Sequence, residues 1–173
     1  SRGRRGEGLT GSAARRYGTR PVALKRILLI RLSHLGDVVH ALPVYHALRA
    51  AHPRAELAWL VQGEFAGLLA GLPGLAAVLA FERRGGARAW LELRAALAAF
   101  APELVVDAQG NLKSACAALA AGATRRLGLH HSDWRERAGA MVLTETAEPG
   151  AGEHALDRMA ALARAVAGPA WSG

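Results

Sequence analysis

The sequence contains very little cysteine and lacks any long apolar run. Cys116 is the only cysteine among 173 residues, which excludes a disulfide framework and a thiolate metal site within the chain. A cytoplasmic setting fits this composition. No apolar stretch reaches the roughly 18 residues that a transmembrane helix requires, so any contact with a membrane is expected to be peripheral.

Acidic residues are scarce near the amino terminus, and this explains most of the net charge of +8. Residues 1–26 contain eight basic residues and one acid, Glu7, whereas the remaining residues are nearly neutral. Residues 1–25 also lack apolar periodicity, so we expect a disordered basic leader. Such an arm is suited to contact nucleic acid or anionic lipid. The alternative, which we favour, is an extension that has no role of its own.

Strand-like and helix-like patterns alternate after residue 25. Apolar runs predict strands over 27–30, 56–61, 76–81 and 104–107, with weaker indications over 126–129 and 141–144. Helical periodicity predicts helices over 37–51, 64–70, 87–100, 112–121 and 153–167. This alternation is typical of an α/β domain in which helices cover both faces of a parallel sheet. We expect that domain to span residues 26–168, with residues 169–173 as a tail.

Ligands of such sheets bind at the carboxyl ends of the strands, which directs attention to the loops there. These loops are 31–37, 62–64, 82–86, 107–113 and 130–135. The first contains Ser33, His34, Gly36 and Asp37, and His40 follows Asp37 by one helical turn. This loop has no G-x-G-x-x-G fingerprint, and the sequence has no P-loop motif. From spacing alone, Asp37 is either a helix cap, which we favour at this point, or a carboxylate facing the crevice.

The loop after the fourth predicted strand combines Asp107, Gln109, Gly110 and Lys113. The acid and the amide are suited to bind sugar hydroxyls, and Lys113, close to a helix start, is suited to bind an anion. Ordinary turn chemistry with a helix cap explains the same residues equally well. Both interpretations therefore stay open.

Two further loops are polar but less informative. Arg83, Arg84 and Arg88 form a flexible basic loop, which is usually only solvated but would matter for a polyanionic ligand. His130 and His131 are adjacent, so they point in different directions, and no second cluster supplies further ligands. We therefore expect no metal site.

Residues 27–43, ILLIRLSHLGDVVHALP, are similar to the amino-terminal signature of the ADP-heptose:lipopolysaccharide heptosyltransferases, glycosyltransferase family 9. Residues 107–115, DAQGNLKSA, resemble the second amino-terminal motif of that family. LAWLV at 57–61 and SDWRER at 132–137 resemble heptosyltransferase I more than heptosyltransferase II. HALDR at 154–158 resembles the family's helix that leads to a second domain. Two motifs in the correct order make a chance agreement improbable.

The resemblance implies the GT-B architecture, in which two Rossmann-like domains face each other across a cleft. It implies that this chain corresponds to the amino-terminal half, which binds the acceptor, the Kdo-lipid A inner core. The second domain, which binds most of the ADP-heptose donor, is expected to be absent. The family acts at the cytoplasmic face of the inner membrane and needs no metal or other cofactor.

The resemblance further implies an inverting transfer in which Asp37 is the general base. A carboxylate is a weak base, but it serves if the acceptor hydroxyl loses its proton late in the reaction. The remaining polar residues of the matching loops are expected to bind the acceptor. They are Ser33, His34, Gly36, His40, Arg83, Arg84, Arg88, Asp107, Gln109, Gly110 and Lys113. His40 either orients Asp37 or only packs beside it.

Two alternative functions remain. The first is another GT-B transferase that uses a different nucleotide sugar or acceptor. The second is a truncated, non-catalytic module that binds an anionic glycolipid, or nucleic acid through the basic leader. We do not expect nucleic acid to be the main partner.

Overall fold

The sheet is parallel throughout and has the strand order of a Rossmann-like domain. The structure is a computed structural model that describes residues 15–16, 23–152 and 154–168. In these residues the strands are β1 (Arg15–Arg16), β2 (Arg26–Ile30), β3 (Glu56–Gln62), β4 (Leu75–Phe81), β5 (Leu104–Asp107), β6 (Arg125–Gly128) and β7 (Glu145–Thr146). Their order across the sheet is β1-β7-β6-β5-β2-β3-β4.

Helices connect these strands on both faces of the sheet. The α-helices of the described residues are α1 (Leu35–His40), α2 (Leu42–Ala51), α3 (Ala66–Leu69), α4 (Gly86–Phe100), α5 (Leu112–Ala120) and α6 (Ala155–Ala167). Short 3₁₀ segments cover Gly63–Phe65, His131–Asp133 and Arg137–Val142. The predicted α/β fold, with a parallel sheet between two helical layers, is therefore confirmed.

Two apolar cores, one on each face, explain why the central strands are continuous apolar runs. Residues 27–30 of β2 are at most 2% exposed, and successive side chains alternate between the two cores. On one face Tyr45 of α2 stacks on Trp59 of β3, with ring centroids 5.9 Å apart, and α6 packs against α2. On the other face Leu93 and Leu97 of α4 cover the sheet.

The chain reverses its direction across the sheet between β2 and β5. From β2 it continues outward to β3 and β4, and it then crosses to β5 on the other side of β2 and continues to β6 and β7. The two central strands are paired up to Ile30 and Asp107, so the loops that follow them separate at one point. In an open parallel sheet this switch point is where a ligand crevice forms.

Two predicted elements need correction. The helix predicted over 37–51 is interrupted at Ala41, because Pro43 in the first turn of α2 has no N–H with which to continue the ladder of α1. The strand predicted over 141–144 is wrong. A 3₁₀ segment ends at Val142, Met141 is 87% exposed, and pairing with β6 begins only in β7.

The basic leader departs from the prediction at two residues. Arg15–Arg16 pairs with Glu145–Thr146, so β1 extends the sheet at its edge. Leu24 is buried in the first core. Residues 1–14 and 17–22, where the disordered leader was predicted, and the tail 169–173 lie outside the described residues.

Candidate active site

Asp37 and a buried arginine form an ion pair at the switch point. Arg31 follows β2 directly and Asp37 lies in the first turn of α1, so a short turn places both at the carboxyl end of the sheet. Nη2 of Arg31 lies 2.9 Å from Oδ1 of Asp37, and Nη1 donates to the carbonyl of Ala108, which follows β5. The guanidinium therefore links the ends of the two central strands and holds one carboxylate oxygen.

Burial explains why Arg31 needs this partner. Burial lowers the pKa of Arg31, and the negative charge of Asp37 opposes that effect. Arginine stays protonated at ordinary pH, so the carboxylate balances a buried positive charge. Helix α1 has His34 at its N-cap position and no side-chain capping bond. The capping role that spacing alone favoured for Asp37 is therefore wrong.

The other carboxylate oxygen of Asp37 has only a weak contact. Oδ2 lies 3.7 Å from Nδ1 of His34, which is longer than a hydrogen bond, and the Asp37 side chain is 33% exposed. His34 itself is largely exposed. His40 forms no ion pair with Asp37, and its Nδ1 is buried without a hydrogen-bond partner in the described part of the chain. Because Arg31 holds Oδ1, Oδ2 is the oxygen that a substrate hydroxyl can reach.

The second motif builds the loop beside this carboxylate. Asp107 is 1% exposed, and its Oδ1 accepts hydrogen bonds from the backbone N–H of Gln109 at 2.8 Å and of Gly110 at 3.0 Å. Burial raises the pKa of Asp107, although these hydrogen bonds oppose the rise. The Gln109 side chain accepts from the N–H of Leu32 at 2.8 Å and of Ser33 at 3.3 Å. Asp107 therefore shapes the loop from inside, whereas Gln109 joins the two loops.

The backbone conformation of the loop explains why position 110 is a glycine. Its φ is +70°, which side chains with a Cβ rarely adopt, and an added Cβ would lie 3.3 Å from Leu129. The next residue, Asn111, caps α5 by accepting from the N–H of Ser114 at 3.0 Å, and Ser114 Oγ accepts from Asn111 N–H in return. Turn chemistry and a helix cap, one of the two interpretations of this motif, are thus present.

A cavity of about 490 Å³ opens between the two loops, the 130–135 segment and α6. Its lining includes Asp37, Arg31, Ser33, His34, Gln109, Gly110, Asn111, Ser132, Asp133, Arg135, Met159 and Arg158. Polar and charged side chains dominate this lining. The cavity is therefore suited to a hydrophilic substrate and gives it access to Asp37.

The basic residues lie around a neighbouring part of the same edge. A second cavity of about 490 Å³ is lined by Lys113 and Arg83 and shares Ser33, His34 and Arg135 with the first. Arg83 and Arg84 also line a third cavity of about 560 Å³. The structure thus brings Arg83 and Lys113 together, although they are 30 positions apart in the chain.

Four of the predicted site residues line none of these cavities, and one of them, Asp107, is buried beneath its loop. Arg88 lies on α4 and pairs with Glu92 at 2.7 Å on the exposed helix surface. Gly36 and His40 belong to α1 but line none of the three cavities. The predicted site is therefore centred on the two loops at the switch point.

Sequence reasoning missed three arginines that line the first cavity. Arg31 could have been found from the sequence, because a charged residue directly after a predicted buried strand lies at the carboxyl end of the sheet. Arg135 lies in the resembling segment at 132–137 but received no role. Arg158 ends the resembling segment at 154–158 but also received no role, and α6 reaches the cavity through its packing against α1 and α2.

Neither a metal cluster nor a bilayer-spanning helix is found in the described residues. They contain no group of three or more His, Cys, Asp and Glu side chains that is arranged to hold a metal ion. None of their helices is both long and apolar enough to cross a bilayer.

Known heptosyltransferases are similar to this chain in sequence and fold, although no protein-family model matches the chain. Lipopolysaccharide heptosyltransferase 1 of Pseudomonas aeruginosa is 33% identical over 142 residues, which are 77% of this chain and 40% of that protein. The core heptosyltransferase OpsX of Haemophilus influenzae is 26% identical over 147 residues, 85% of this chain and 42% of that protein.

Solved structures give the same result. Escherichia coli heptosyltransferase WaaC with ADP superposes with a TM-score of 0.69 at 26% identity, over 86% of this chain and 50% of that one. WaaC with ADP-2-deoxy-2-fluoro heptose gives a TM-score of 0.70, over 82% of this chain and 48% of that one. The chain spans half the length, or less, of the relatives it matches. As its two motifs predicted, the chain is a homologue of the lipopolysaccharide heptosyltransferases and has the fold of one half of these GT-B glycosyltransferases.

Proposed function

We propose that this chain provides the acceptor-binding half and the general base of a heptosyltransferase in lipopolysaccharide core biosynthesis. The observation that carries this proposal is the Asp37 carboxylate, which is held by Arg31 at one oxygen and open at the other, at the switch point of the sheet. The heptosyltransferase relatives support the reaction class. The donor is ADP-heptose and the acceptor is the Kdo-lipid A inner core.

In the proposed step, a hydroxyl of the acceptor donates a hydrogen bond to Oδ2 of Asp37. The hydroxyl oxygen attacks the anomeric carbon of the heptose, and the bond from that carbon to the phosphate oxygen breaks with its electron pair. The hydroxyl proton passes to Asp37, ADP leaves, and the configuration at the anomeric carbon inverts. Because Arg31 fixes the carboxylate, its contribution is one of position more than of basicity.

The basic residues of the neighbouring cavities are assigned to the acceptor. Arg83, Arg84 and Lys113 have no side-chain partner among the described residues. Arg83 and Lys113 line the cavity that adjoins the one with Asp37, and Arg84 lies with Arg83 in the third cavity. Guanidinium and ammonium groups bind phosphates and carboxylates strongly, and the inner core carries both. An acceptor anchored in the inner membrane would place this edge at its cytoplasmic face, so the membrane contact we propose is peripheral.

Most contacts with the donor are assigned to the part of the relatives that this chain does not match. The WaaC structures contain ADP and an ADP-heptose analogue and are twice as long as the matched segment. The proposed division gives the base and the acceptor surface to this chain, and most of the nucleotide contacts to a second domain.

The reaction class is tested by joining this chain to the remaining half of the Pseudomonas aeruginosa relative. The chimera is given ADP-heptose, or another nucleotide sugar such as UDP-glucose, together with Kdo-lipid A, and the product is followed by mass spectrometry. We expect addition of one heptose with ADP-heptose only. Transfer from another nucleotide sugar, with none from ADP-heptose, would mean that the acceptor half serves a different GT-B enzyme.

A further inference from the structure

Gln62, the last residue of β3, has a buried side chain without a hydrogen-bond partner. Five polar or charged residues of the described chain are at most 9% exposed, and they are Arg31, Gln62, Asp107, Ser114 and Glu145. The other four each form a side-chain hydrogen bond or an ion pair. The side-chain amide of Gln62, which is 7% exposed, forms neither with any described residue. Buried polar groups are normally paired, so this exception requires an explanation.

The backbone holds Gln62 at the carboxyl end of the sheet. Its N–H donates to the carbonyl of Leu32 at 2.9 Å, and it pairs with Phe81 of β4. Because side chains alternate along a strand, Gln62 lies on the same face of β3 as Leu60, above the second core. Its unpartnered amide atoms are not completely enclosed by protein, and the residue lines two cavities. The amide therefore faces cavity space and not the apolar interior.

The three cavities of this edge form a continuous row, and Gln62 lies where two of them meet. The second cavity shares Gln62 and Arg83 with the third. With the cavity that contains Asp37 it shares four lining residues, Ser33, His34, Asn111 and Arg135. A substrate that extends from Asp37 into the third cavity would therefore pass the amide of Gln62.

Gly63 allows a carboxylate to lie beside this amide. A Cβ built on Gly63 would overlap Oε1 of Glu82, so the carboxylate rests against the backbone of the residue that follows Gln62. Glu82 also lines the third cavity, and its carboxylate has no ion pair or hydrogen bond in the part of the chain that the structure describes. An amide both donates and accepts hydrogen bonds, whereas a carboxylate only accepts them. Neighbouring hydroxyls of a sugar, which donate and accept, match this pair.

We infer that Gln62 and Glu82 form a subsite for sugar hydroxyls of the acceptor, away from the hydroxyl that reacts at Asp37. The inference rests on the proposed function, which supplies a sugar acceptor. Its ligand chemistry is a neutral diol, in contrast to the acid groups assigned to the basic residues. A site built to bind a hydroxyl discriminates strongly against an analogue without it, because the polar groups of the site then stay unpaired. Gln62 is thus a specificity residue and not a catalytic one.

The direct test follows the Gln62 side-chain amide by NMR in the full ¹⁵N-labelled chain. The chain has two glutamines, so the Gln62→Leu variant identifies the signal. One probe is the methyl glycoside of 3-deoxy-octulosonate, which carries hydroxyls and a carboxylate, and the other is acetate, which carries the carboxylate alone. We expect the sugar to shift the Gln62 signal and acetate at the same concentration to leave it in place. Equal shifts with both probes, or no shift with the sugar, would overturn the inference.

The Gln62→Leu variant also separates ligand binding from a role in folding. Leucine replaces an amide that has no partner, so the urea midpoint of unfolding should stay the same or rise. The affinity for the sugar should nevertheless fall about tenfold or more. A lower midpoint together with an unchanged affinity would show that the amide serves the fold, and the subsite would be refuted.

Gly63→Ala tests the carboxylate without changing either polar residue. The new methyl group takes the place of the Glu82 carboxylate, which is the end of a flexible side chain and can turn towards solvent at little cost to folding. Binding of the sugar should weaken several-fold. Gly67→Ala is the matched control, because a Cβ built there has nothing within 4 Å, and it should bind like the wild type. Equal affinities for the two variants would overturn the pairing of Glu82 with Gln62.

Failure of this inference and failure of the proposed function give different results. In the chimera, Gln62→Leu should raise KM for Kdo-lipid A about tenfold and leave kcat nearly unchanged, because the subsite lies away from the reacting atoms. Heptose transfer that is insensitive to Gln62→Leu would leave the function standing and remove the subsite. A shift of the Gln62 signal by the sugar, without heptose transfer by the chimera, would leave the subsite standing and remove the function.

Discussion

The sheet uses arginine in opposite ways at the amino ends of its strands, here called the amino edge, and at their carboxyl ends, here called the carboxyl edge. At the amino ends of the strands, four arginines donate hydrogen bonds to carbonyls or to a carboxylate. They are Arg26 with Ala101, Arg49 with Gly74, His52 and Ala55, Arg125 with Glu145, and Arg126 with Ala123 and Val142. At the carboxyl ends, several cations have no side-chain partner in the described residues. They are Arg83, Arg84, Lys113, Arg135 and Arg158.

This difference separates residues that maintain the fold from residues that await a ligand. A guanidinium that satisfies buried carbonyls stabilises the loops between strands, and its removal leaves those acceptors without a donor. A cation without a partner contributes little to folding and remains free to bind an anion. Arg31 also lies at the carboxyl edge, but it has a partner there, because it forms the ion pair that positions the Asp37 carboxylate.

The largest loss of stability is expected at the amino edge from Arg125→Leu. Two bonds of 2.8 and 3.0 Å join Arg125 to Glu145, a buried carboxylate that the substitution would leave without this partner. The free energy of unfolding should fall by about 3 kcal/mol in urea denaturation. Arg54→Leu removes an exposed arginine and serves as the control. Equal losses for the two variants would contradict the role given to this edge.

A smaller loss is expected from Arg49→Leu at the same edge. The guanidinium of Arg49 donates to the carbonyls of Gly74, His52 and Ala55, which closes two loops against α2. Losing these donors should cost about 2 kcal/mol in the same measurement. A change no greater than that of the Arg54→Leu control would show that water replaces the donors freely.

At the carboxyl edge, we expect Asp107 to make the free energy of unfolding depend on pH. Its pKa is raised by burial, so the folded state binds the proton more tightly than the unfolded state does. Its contribution to stability is therefore present in acid and is lost as pH rises above the ordinary aspartate pKa of about 4. Asp107→Asn keeps an oxygen for the two N–H groups and removes the titration. The variant should gain stability relative to the wild type as pH rises, and a gain in the opposite direction would contradict the burial effect.

The smallest effect on stability is expected from the combined substitution Arg83→Gln and Arg84→Gln. Both residues are exposed and have no side-chain partner in the described residues, so the free energy of unfolding should change by less than about 0.5 kcal/mol. Binding of Kdo-lipid A in detergent micelles should nevertheless weaken. A marked loss of stability would show that these arginines belong with those of the amino edge.

The central part of the fold was predictable because its burial pattern is local. Residues 27–30 and 104–107 are buried on both faces, and such strands are read directly from continuous apolar runs. The segment 141–144 has the same apolar character but forms no strand. Whether a segment forms a strand here depends on which residues lie opposite the free N–H and C=O groups of β6, and the local sequence does not contain that information.

The site was predictable only as far as its two motifs reach. Family resemblance singled out Asp37, whereas spacing alone favoured a capping role that the ion pair with Arg31 contradicts. The burial of Asp107 and the approach of Arg158 come from tertiary packing. Arg158 is 121 positions from Asp37, and the resembling segment that contains it was given no role in the site.

The rate of heptose transfer by an Asp37→Asn variant of the chimera tests the central claim most directly. Asparagine keeps Oδ1 for Arg31, so the unfolding curve should stay close to that of the wild type, while the rate should fall about 10²- to 10⁴-fold with the base removed. Glu56→Gln removes an exposed carboxylate at the amino edge and should retain full activity. Transfer by Asp37→Asn at a rate close to that of Glu56→Gln would contradict the assignment of Asp37 as the base.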